Sequence, residues 1–125
     1  MKKSVMIVDD NPDIIYTVKS GLEAMDPDYE VLGASNGEKC LQLLEEDKIP
    51  DLILLDIMMP GMTGWETIKQ IKKREDWKAI PIVFLTARTD EVAQKAGEFY
   101  GEEYIKKPFD IKALKDIIEK NINPE

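Results

Sequence analysis

The sequence of 125 residues contains no histidine and only one cysteine, Cys40. The absence of histidine excludes a histidine general base, a Ser-His-Asp triad and a histidine-ligated metal within this chain. A single cysteine forms neither an internal disulfide nor a zinc cluster. Its neighbours Leu41, Leu43 and Leu44 predict a buried, unreactive thiol. Because a signal-peptide pattern is missing as well, the sequence predicts a cytoplasmic protein.

Long apolar runs and an excess of positive charge are also missing. The longest apolar run is only a few residues, whereas a membrane-spanning helix needs about 20. Asp and Glu number 25 against 17 Lys and Arg, which gives a net charge of -8. This balance disfavours binding to nucleic acid or to an anionic membrane surface, because both need clustered basic residues. We expect residues 1–125 to form one domain that buries its own core.

Five short apolar runs alternate with amphipathic segments, a pattern typical of a parallel α/β sheet covered by helices on both faces. The runs Ser4 to Val8, Leu52 to Leu55 and Ile82 to Leu85 are nearly continuous, as in strands buried on both faces. The runs Tyr29 to Ala34 and Glu103 to Lys106 are more polar, which is expected of edge strands.

Residues that commonly cap helices precede four predicted helical segments. They are Asn11 before Pro12, Ser35 three residues before Glu38, Thr63 three residues before Glu66, and Asp110. Asp110 is predicted to begin a last helix that continues through about Asn121. A weaker helical pattern covers about Asp90 to Phe99.

Polar residues follow the predicted strands where each strand ends. Asp9 and Asp10 follow the first, Asp56 the third, Thr86 the fourth and Lys107 the fifth. In such sheets ligands bind at the carboxyl ends of the strands, where the strand order reverses. Three carboxylates that converge there repel one another, and a divalent ion such as Mg²⁺ relieves the repulsion through oxygen ligands. With a hydroxyl and an ammonium, this is a predicted phosphoryl site, since aspartate accepts phosphoryl groups.

Four segments carry a pattern that appears in the same order in a known family. They are IVDDN at 7–11, DLILLDIMMPGMTG at 51–64, PIVFLTA at 81–87 and YIKKPF at 104–109. On these segments the chain resembles the receiver domain of two-component response regulators, and is similar to the single-domain chemotaxis regulators. The resemblance implies a flavodoxin-like, CheY-like sheet in the order 2-1-3-4-5. It also implies a signalling switch that a partner histidine kinase or phosphotransfer protein phosphorylates.

The resemblance also implies a role for each polar residue at the strand ends. Thr86 and Lys107 contact the phosphoryl oxygens. Lys107, rather than Lys106, matches because the family's lysine directly precedes a proline, here Pro108, through a cis peptide bond. Asp56 is the phosphoryl acceptor, and Mg²⁺ is held by Asp9, Asp10, Asp56 and the backbone carbonyl of Met58.

Three further positions concern how the signal leaves the site and how long it lasts. Tyr104 matches the family's aromatic switch position and acts with Thr86. The implied output surface is formed by the helix over about 90–99, the fifth strand and the last helix. Met58 and Arg88 match the positions that flank the path of the hydrolytic water. An apolar side chain and a permanent cation do not hold a water as acceptors, so we expect slow self-dephosphorylation.

Three other classes of protein have a similar sheet and are alternatives to a phosphorylated receiver domain. A haloacid-dehalogenase-like phosphatase shares the aspartate chemistry, but its two aspartates are two residues apart, whereas Asp9 and Asp10 are adjacent. A flavin or dinucleotide module needs a glycine-rich loop, and G-x-G-x-x-G does not follow Val8. A receiver-like interaction module that works without phosphorylation requires loss of a site residue, and all five are present. The resemblance to a receiver domain implies that the chain catalyses only its own phosphorylation and dephosphorylation.

Overall fold

The computed structural model describes residues 2–87 and 103–122, and within them strands and helices follow one another along the chain. The predicted helix over about 90–99 and the position of Arg88 lie outside the described residues. None of the helices in the two described ranges combines the length and the apolar character that a membrane span requires. The elements are β1 (Lys3–Val8), α1 (Pro12–Met25), β2 (Tyr29–Ala34), α2 (Gly37–Glu45), β3 (Leu52–Asp56), α3 (Gly64–Lys72), β4 (Ile82–Thr86), β5 (Glu103–Lys106) and α4 (Ile111–Ile122).

The five strands form one parallel sheet in the order β2-β1-β3-β4-β5. This order confirms the one implied by the resemblance. The two more polar runs became the edge strands β2 and β5, as their composition predicted. From β1 the chain first moves outward to β2 and then returns to place β3 on the other side of β1. The strand order therefore reverses between β1 and β3, which is where ligands bind in such sheets.

The core lies on both faces of the sheet. Val8, Leu55 and Phe84 point to the face covered by α2 and α3, and their side chains belong to one buried cluster. Ile7 and Leu54 point to the opposite face, which α1 and α4 cover. Because successive strand residues face opposite sides and both sides are apolar, the central strands need continuous apolar runs. This packing explains why the central strands could be predicted from the sequence.

Three of the four predicted helix caps are confirmed. The Asn11 side chain accepts a hydrogen bond from the backbone N–H of Asp13, and Pro12 begins α1. Thr63 and Glu66 form a reciprocal capping box at the start of α3. Asp110 accepts from the backbone N–H of Ala113 at 2.7 Å and so caps α4.

The fourth predicted cap, Ser35, was wrong by one residue. Asn36 caps α2 instead, because its side-chain oxygen accepts from the backbone N–H of Lys39 at 2.7 Å. The helix therefore begins at Gly37, where a β-carbon would collide with the hydroxyl of Thr67 on α3. This close approach of the two helices leaves no room for a side chain at the first residue of α2. The local Ser-x-x-Glu pattern does not reveal it.

Cys40 lies in α2 and is buried, as predicted. Burial raises the pKa of its thiol to about 12. The thiolate, which is the reactive form, is therefore scarce at neutral pH.

Candidate functional site

The carboxyl ends of β1 and β3 bring three aspartates together. Asp56 is the last residue of β3, and Asp9 follows directly after Val8, which pairs with Leu55. One carboxylate oxygen from each of Asp9, Asp10 and Asp56 lies within 4.8 Å of the others. The strand ends thus place these side chains in one crevice, at the reversal of strand order.

The three aspartates differ in burial and in their hydrogen bonds. Asp9 is fully buried, Asp56 is 4% exposed and Asp10 is exposed. One oxygen of Asp9 accepts from the backbone N–H of Asn11 at 2.9 Å. One oxygen of Asp56 accepts from the backbone N–H of Met58 at 3.3 Å. These backbone donors orient both carboxylates and direct their other oxygens toward a shared lysine.

That lysine is Lys107, which reaches the aspartates from the loop after β5. Its ammonium lies 2.7 Å from Asp9 Oδ2 and 3.6 Å from Asp56 Oδ2. The backbone N–H of Lys107 donates to the carbonyl of Thr86 at 2.7 Å, so the β4–β5 pairing continues into the loop. The Lys107–Pro108 bond is cis. Lys106 lies on β5 and is exposed, so it is Lys107 that the structure brings to the carboxylates.

The electrostatics of the crevice are unfavourable for a second negative charge. Burial raises the pKa of Asp56 to about 6, and the nearby carboxylate of Asp9 adds to this effect. The ammonium of Lys107 and the amide of Met58 oppose it only in part. A divalent cation at the three converging oxygens would relieve the repulsion. Three carboxylates are hard oxygen ligands, so this donor set fits Mg²⁺.

The other predicted site residues are placed as follows. Thr86 ends β4 and is buried beside the strand that carries Asp56. Met58 follows β3 and is 50% exposed, and Tyr104 on β5 is 46% exposed. Arg88 lies outside the described residues, so the structure places seven of the eight predicted residues. Tyr104 is on the outer surface of an edge strand rather than among the carboxylates.

One residue that positions the site was not recognised from the sequence as doing so. Gly64 begins α3 directly behind the acceptor strand, and its N–H donates to the carbonyl of Ile57 at 2.9 Å. A β-carbon at Gly64 would lie 2.5 Å from the carbonyl oxygen of Asp56. In the sequence, Gly64 appeared only as the last residue of the segment 51–64 that resembles the family, without a role of its own.

Together, the doubly wound sheet and the acidic crevice with its lysine define a receiver-type signalling module. Residues 5–119 match the family model of the response regulator receiver domain. The chain therefore belongs to this family, whose members act in two-component signalling. Receiver domains interact with histidine kinases or phosphotransfer proteins.

Individual relatives agree with this assignment. The chain is 34% identical over 111 residues to the protein PilH of Pseudomonas aeruginosa, covering 88% of this chain and 89% of PilH. It is 38% identical over 113 residues to a probable cyclic di-GMP phosphodiesterase of Vibrio cholerae. That match covers 90% of this chain but only 25% of the relative, so the chain spans a quarter of its length.

A solved structure is similar over nearly the whole chain. The chemotaxis response regulator CheY4 of Vibrio cholerae is 30% identical, with a TM-score of 0.84. The likeness covers 97% of this chain and 99% of CheY4. The fold is therefore that of CheY-like receiver domains.

Proposed function

We propose that this chain is a phosphorylation-activated switch in which Asp56 accepts a phosphoryl group from a partner histidine kinase or phosphotransfer protein. The observation that carries the proposal is the convergence of three carboxylates and Lys107 at the end of β3. The chain has no histidine, so the phosphohistidine donor belongs to a partner. The proposal places residues 1–125 in one receiver domain in the cytoplasm. It confines catalysis to phosphorylation and dephosphorylation of the chain itself.

Asp56 is better suited than Asp9 to be the acceptor. Both oxygens of Asp9 are engaged, one by the amide of Asn11 at 2.9 Å and one by Lys107 at 2.7 Å. The Oδ2 atom of Asp56 has a looser ion pair with Lys107, at 3.6 Å. Asp56 also retains a small exposed fraction, whereas Asp9 has none. An incoming phosphorus atom therefore meets Asp56 with less disruption of existing bonds.

The chemistry follows from the groups in the crevice. A carboxylate oxygen of Asp56 attacks the phosphorus, a P–O bond forms, and the P–N bond to the donor histidine breaks. Lys107 and the hydroxyl of Thr86 stabilise negative charge on the phosphoryl oxygens. When bound by Asp9, Asp10, Asp56 and the carbonyl of Met58, Mg²⁺ supplies the charge that offsets the three carboxylates.

Phosphorylation is expected to depend on Mg²⁺ bound by the acidic cluster. Wild-type protein incubated with acetyl phosphate should gain one phosphate in Mg²⁺ and none in excess EDTA, as measured by intact mass. Asp10→Asn removes an exposed ligand without leaving a buried group unpaired, so the fold should persist. By calorimetric titration we expect it to bind Mg²⁺ about tenfold more weakly, the equivalent of about 1.4 kcal/mol.

Asp13→Asn is the matched control for this experiment. Asp13 is an exposed aspartate in the first turn of α1, three residues from Asp10 and outside the acidic cluster. It should bind Mg²⁺ as wild type does. Equal affinity in wild type and Asp10→Asn would exclude Asp10 as a ligand, and phosphorylation that persists in EDTA would exclude the metal requirement.

The lifetime of the phosphoryl group is expected to be long. Met58 is apolar and Arg88 is a cation with donors only, so neither side chain holds the attacking water as an acceptor. The double variant Met58→Asn with Arg88→Glu supplies side-chain oxygens that accept hydrogen bonds from this water. The double variant should lose its phosphate roughly tenfold faster, which is about 1.4 kcal/mol off the barrier. Decay is followed by intact mass after the donor is removed, and an unchanged or slower rate would contradict the assignment of these positions.

The signal is expected to leave through β5. We propose that a phosphoryl group on Asp56 draws in the hydroxyl of Thr86 and that Tyr104, now 46% exposed, turns inward. The output surface would include β5, α4 and the segment over 90–99. Beryllofluoride, a phosphoryl mimic, should then shift backbone amide resonances at Tyr104 and its neighbours. The backbone amides near Tyr29, on the opposite edge strand of the sheet, serve as the control. Shifts confined to the loops around Asp56 would exclude this route.

A further inference from the structure

Two consecutive methionines follow the acceptor strand, and they have opposite environments. Met59 is 5% exposed and packs in the core cluster beneath α2 and α3. Met58 is 50% exposed. The loop turns Met59 into the core and leaves half of the surface of Met58 open to solvent. The backbone N–H of Met58 donates to the carboxylate of Asp56 at 3.3 Å, so this exposed methionine is in direct contact with the acceptor.

We propose that Met58 is a site of reversible oxidation by peroxides and that its sulfoxide shortens the life of the phosphoryl group on Asp56. The second part rests on the proposed function of Asp56. In the oxidation, the sulfur lone pair attacks one oxygen of hydrogen peroxide. An S–O bond forms, the O–O bond breaks and water leaves, so sulfur loses two electrons and the peroxide gains them. A thiol-dependent methionine sulfoxide reductase reverses the change.

Apart from one, the competing methionines and the cysteine of the described residues are more buried than Met58. Met62, in the same loop, is partly buried. Met6 is fully buried, and Met59 nearly so. Cys40 is buried, and its raised pKa keeps the thiol protonated. Met25 is the exception, since it is 48% exposed. It ends α1, about 20 Å along the helix axis from the turn that begins beside the acidic cluster.

Oxidation changes what the Met58 side chain offers to the site. A thioether is a weak acceptor, whereas a sulfoxide is polar and carries an oxygen that accepts strong hydrogen bonds. Hydrolysis of an aspartyl phosphate requires a water held in line with the phosphorus. Because Met58 contacts Asp56 through its backbone N–H, the proposal places the sulfoxide oxygen near that water. Peroxide would therefore convert a long-lived switch into a short-lived one.

The first experiment maps oxidation in the whole protein. Wild type is treated with hydrogen peroxide and digested with trypsin, and the oxidised methionines are located by fragmentation. We expect conversion at Met58 and Met25 and little at Met59, the adjacent methionine, which is only 5% exposed. Conversion at Met25 with Met58 still reduced would overturn the proposal, and so would equal conversion of Met58 and Met59.

The second experiment measures the consequence for the phosphoryl group. Met25→Leu removes the remote exposed methionine, which leaves Met58 as the most exposed methionine among the described residues. After acetyl phosphate is removed, the oxidised Met25→Leu protein should lose phosphate up to about tenfold faster than its untreated sample. In Met58→Leu, peroxide treatment should leave the decay rate of that variant unchanged.

The outcomes separate this inference from the proposed function. An unchanged decay rate in oxidised Met25→Leu would overturn the effect on lifetime, and so would an accelerated one in oxidised Met58→Leu. If untreated wild type gains no phosphate on Asp56, the proposed function fails, and the effect on lifetime fails with it. Oxidation mapped to Met58 and spared at Met59 would still establish the modification site in that case.

Discussion

Asp56→Asn should abolish phosphorylation completely. The asparagine side chain is nearly isosteric with aspartate, but its amide does not form an acyl phosphate. After incubation with acetyl phosphate and Mg²⁺, intact-mass measurement should show one added phosphate on wild type and none on the variant. Asp13→Asn, an exposed change near the site, should be phosphorylated as wild type is. If Asp56→Asn still gained one phosphate, another residue would be the acceptor.

The same substitution should not damage the fold, and its effect on stability has a predictable sign. Burial and Asp9 raise the pKa of Asp56 to about 6. The folded state thus binds this proton more tightly than the unfolded chain, whose carboxyl has a pKa of about 4. The free energy of unfolding therefore falls as pH rises from about 4 through about 6. In EDTA at pH 7, Asp56→Asn should melt no lower than wild type and gain at most about 3 kcal/mol. A large drop in melting temperature would mean that lost phosphorylation reflects misfolding.

The strands could be predicted because the burial of each strand is visible in the composition of its own residues. Continuous apolar runs such as Leu52 to Leu55 indicate strands that are buried on both faces. The mixed run Tyr29 to Ala34 indicates an edge strand of the sheet. The strand order itself came from the family resemblance, since local patterns do not specify which strands are neighbours. The convergence of Asp9 and Asp56 followed once their strands were adjacent, because both residues stand at carboxyl ends.

The features that were missed depend on contacts between distant segments. The start of α2 places Gly37 against Thr67 on α3, 30 positions away in the chain. The local pattern at Ser35 carries no trace of this contact. The opposite environments of Met58 and Met59 likewise depend on which side of the loop meets the core. Such choices are made by tertiary packing, so neither propensity nor motif spacing reveals them.

Gly64→Ala should destabilise the protein by about 2–3 kcal/mol. The added β-carbon would lie 2.5 Å from the carbonyl oxygen of Asp56 and 2.7 Å from the α-carbon of Ile57. Both atoms belong to backbone, and Ile57 is held by hydrogen bonds to Leu85 at 3.2 Å and Gly64 at 2.9 Å. Relief of the clash therefore requires α3 to move away from the end of β3. Because Asp56 is part of the displaced segment, the variant should also be phosphorylated more slowly by acetyl phosphate.

Gly61→Ala, in the loop that precedes α3, separates this clash from a general intolerance to alanine. Gly61 has a φ of 75°, where a side chain is strained, but a β-carbon there meets nothing within 4 Å. Gly61→Ala should therefore lower the free energy of unfolding only by the strain of a side chain at this φ, about 1 kcal/mol. Urea unfolding of the two variants measures the difference in the free energy of unfolding. A larger loss at Gly64 than at Gly61 is expected because only Gly64 supports the acceptor strand by direct backbone contact. Equal losses would mean that α3 tolerates the side chain and that Gly64 does not position Asp56.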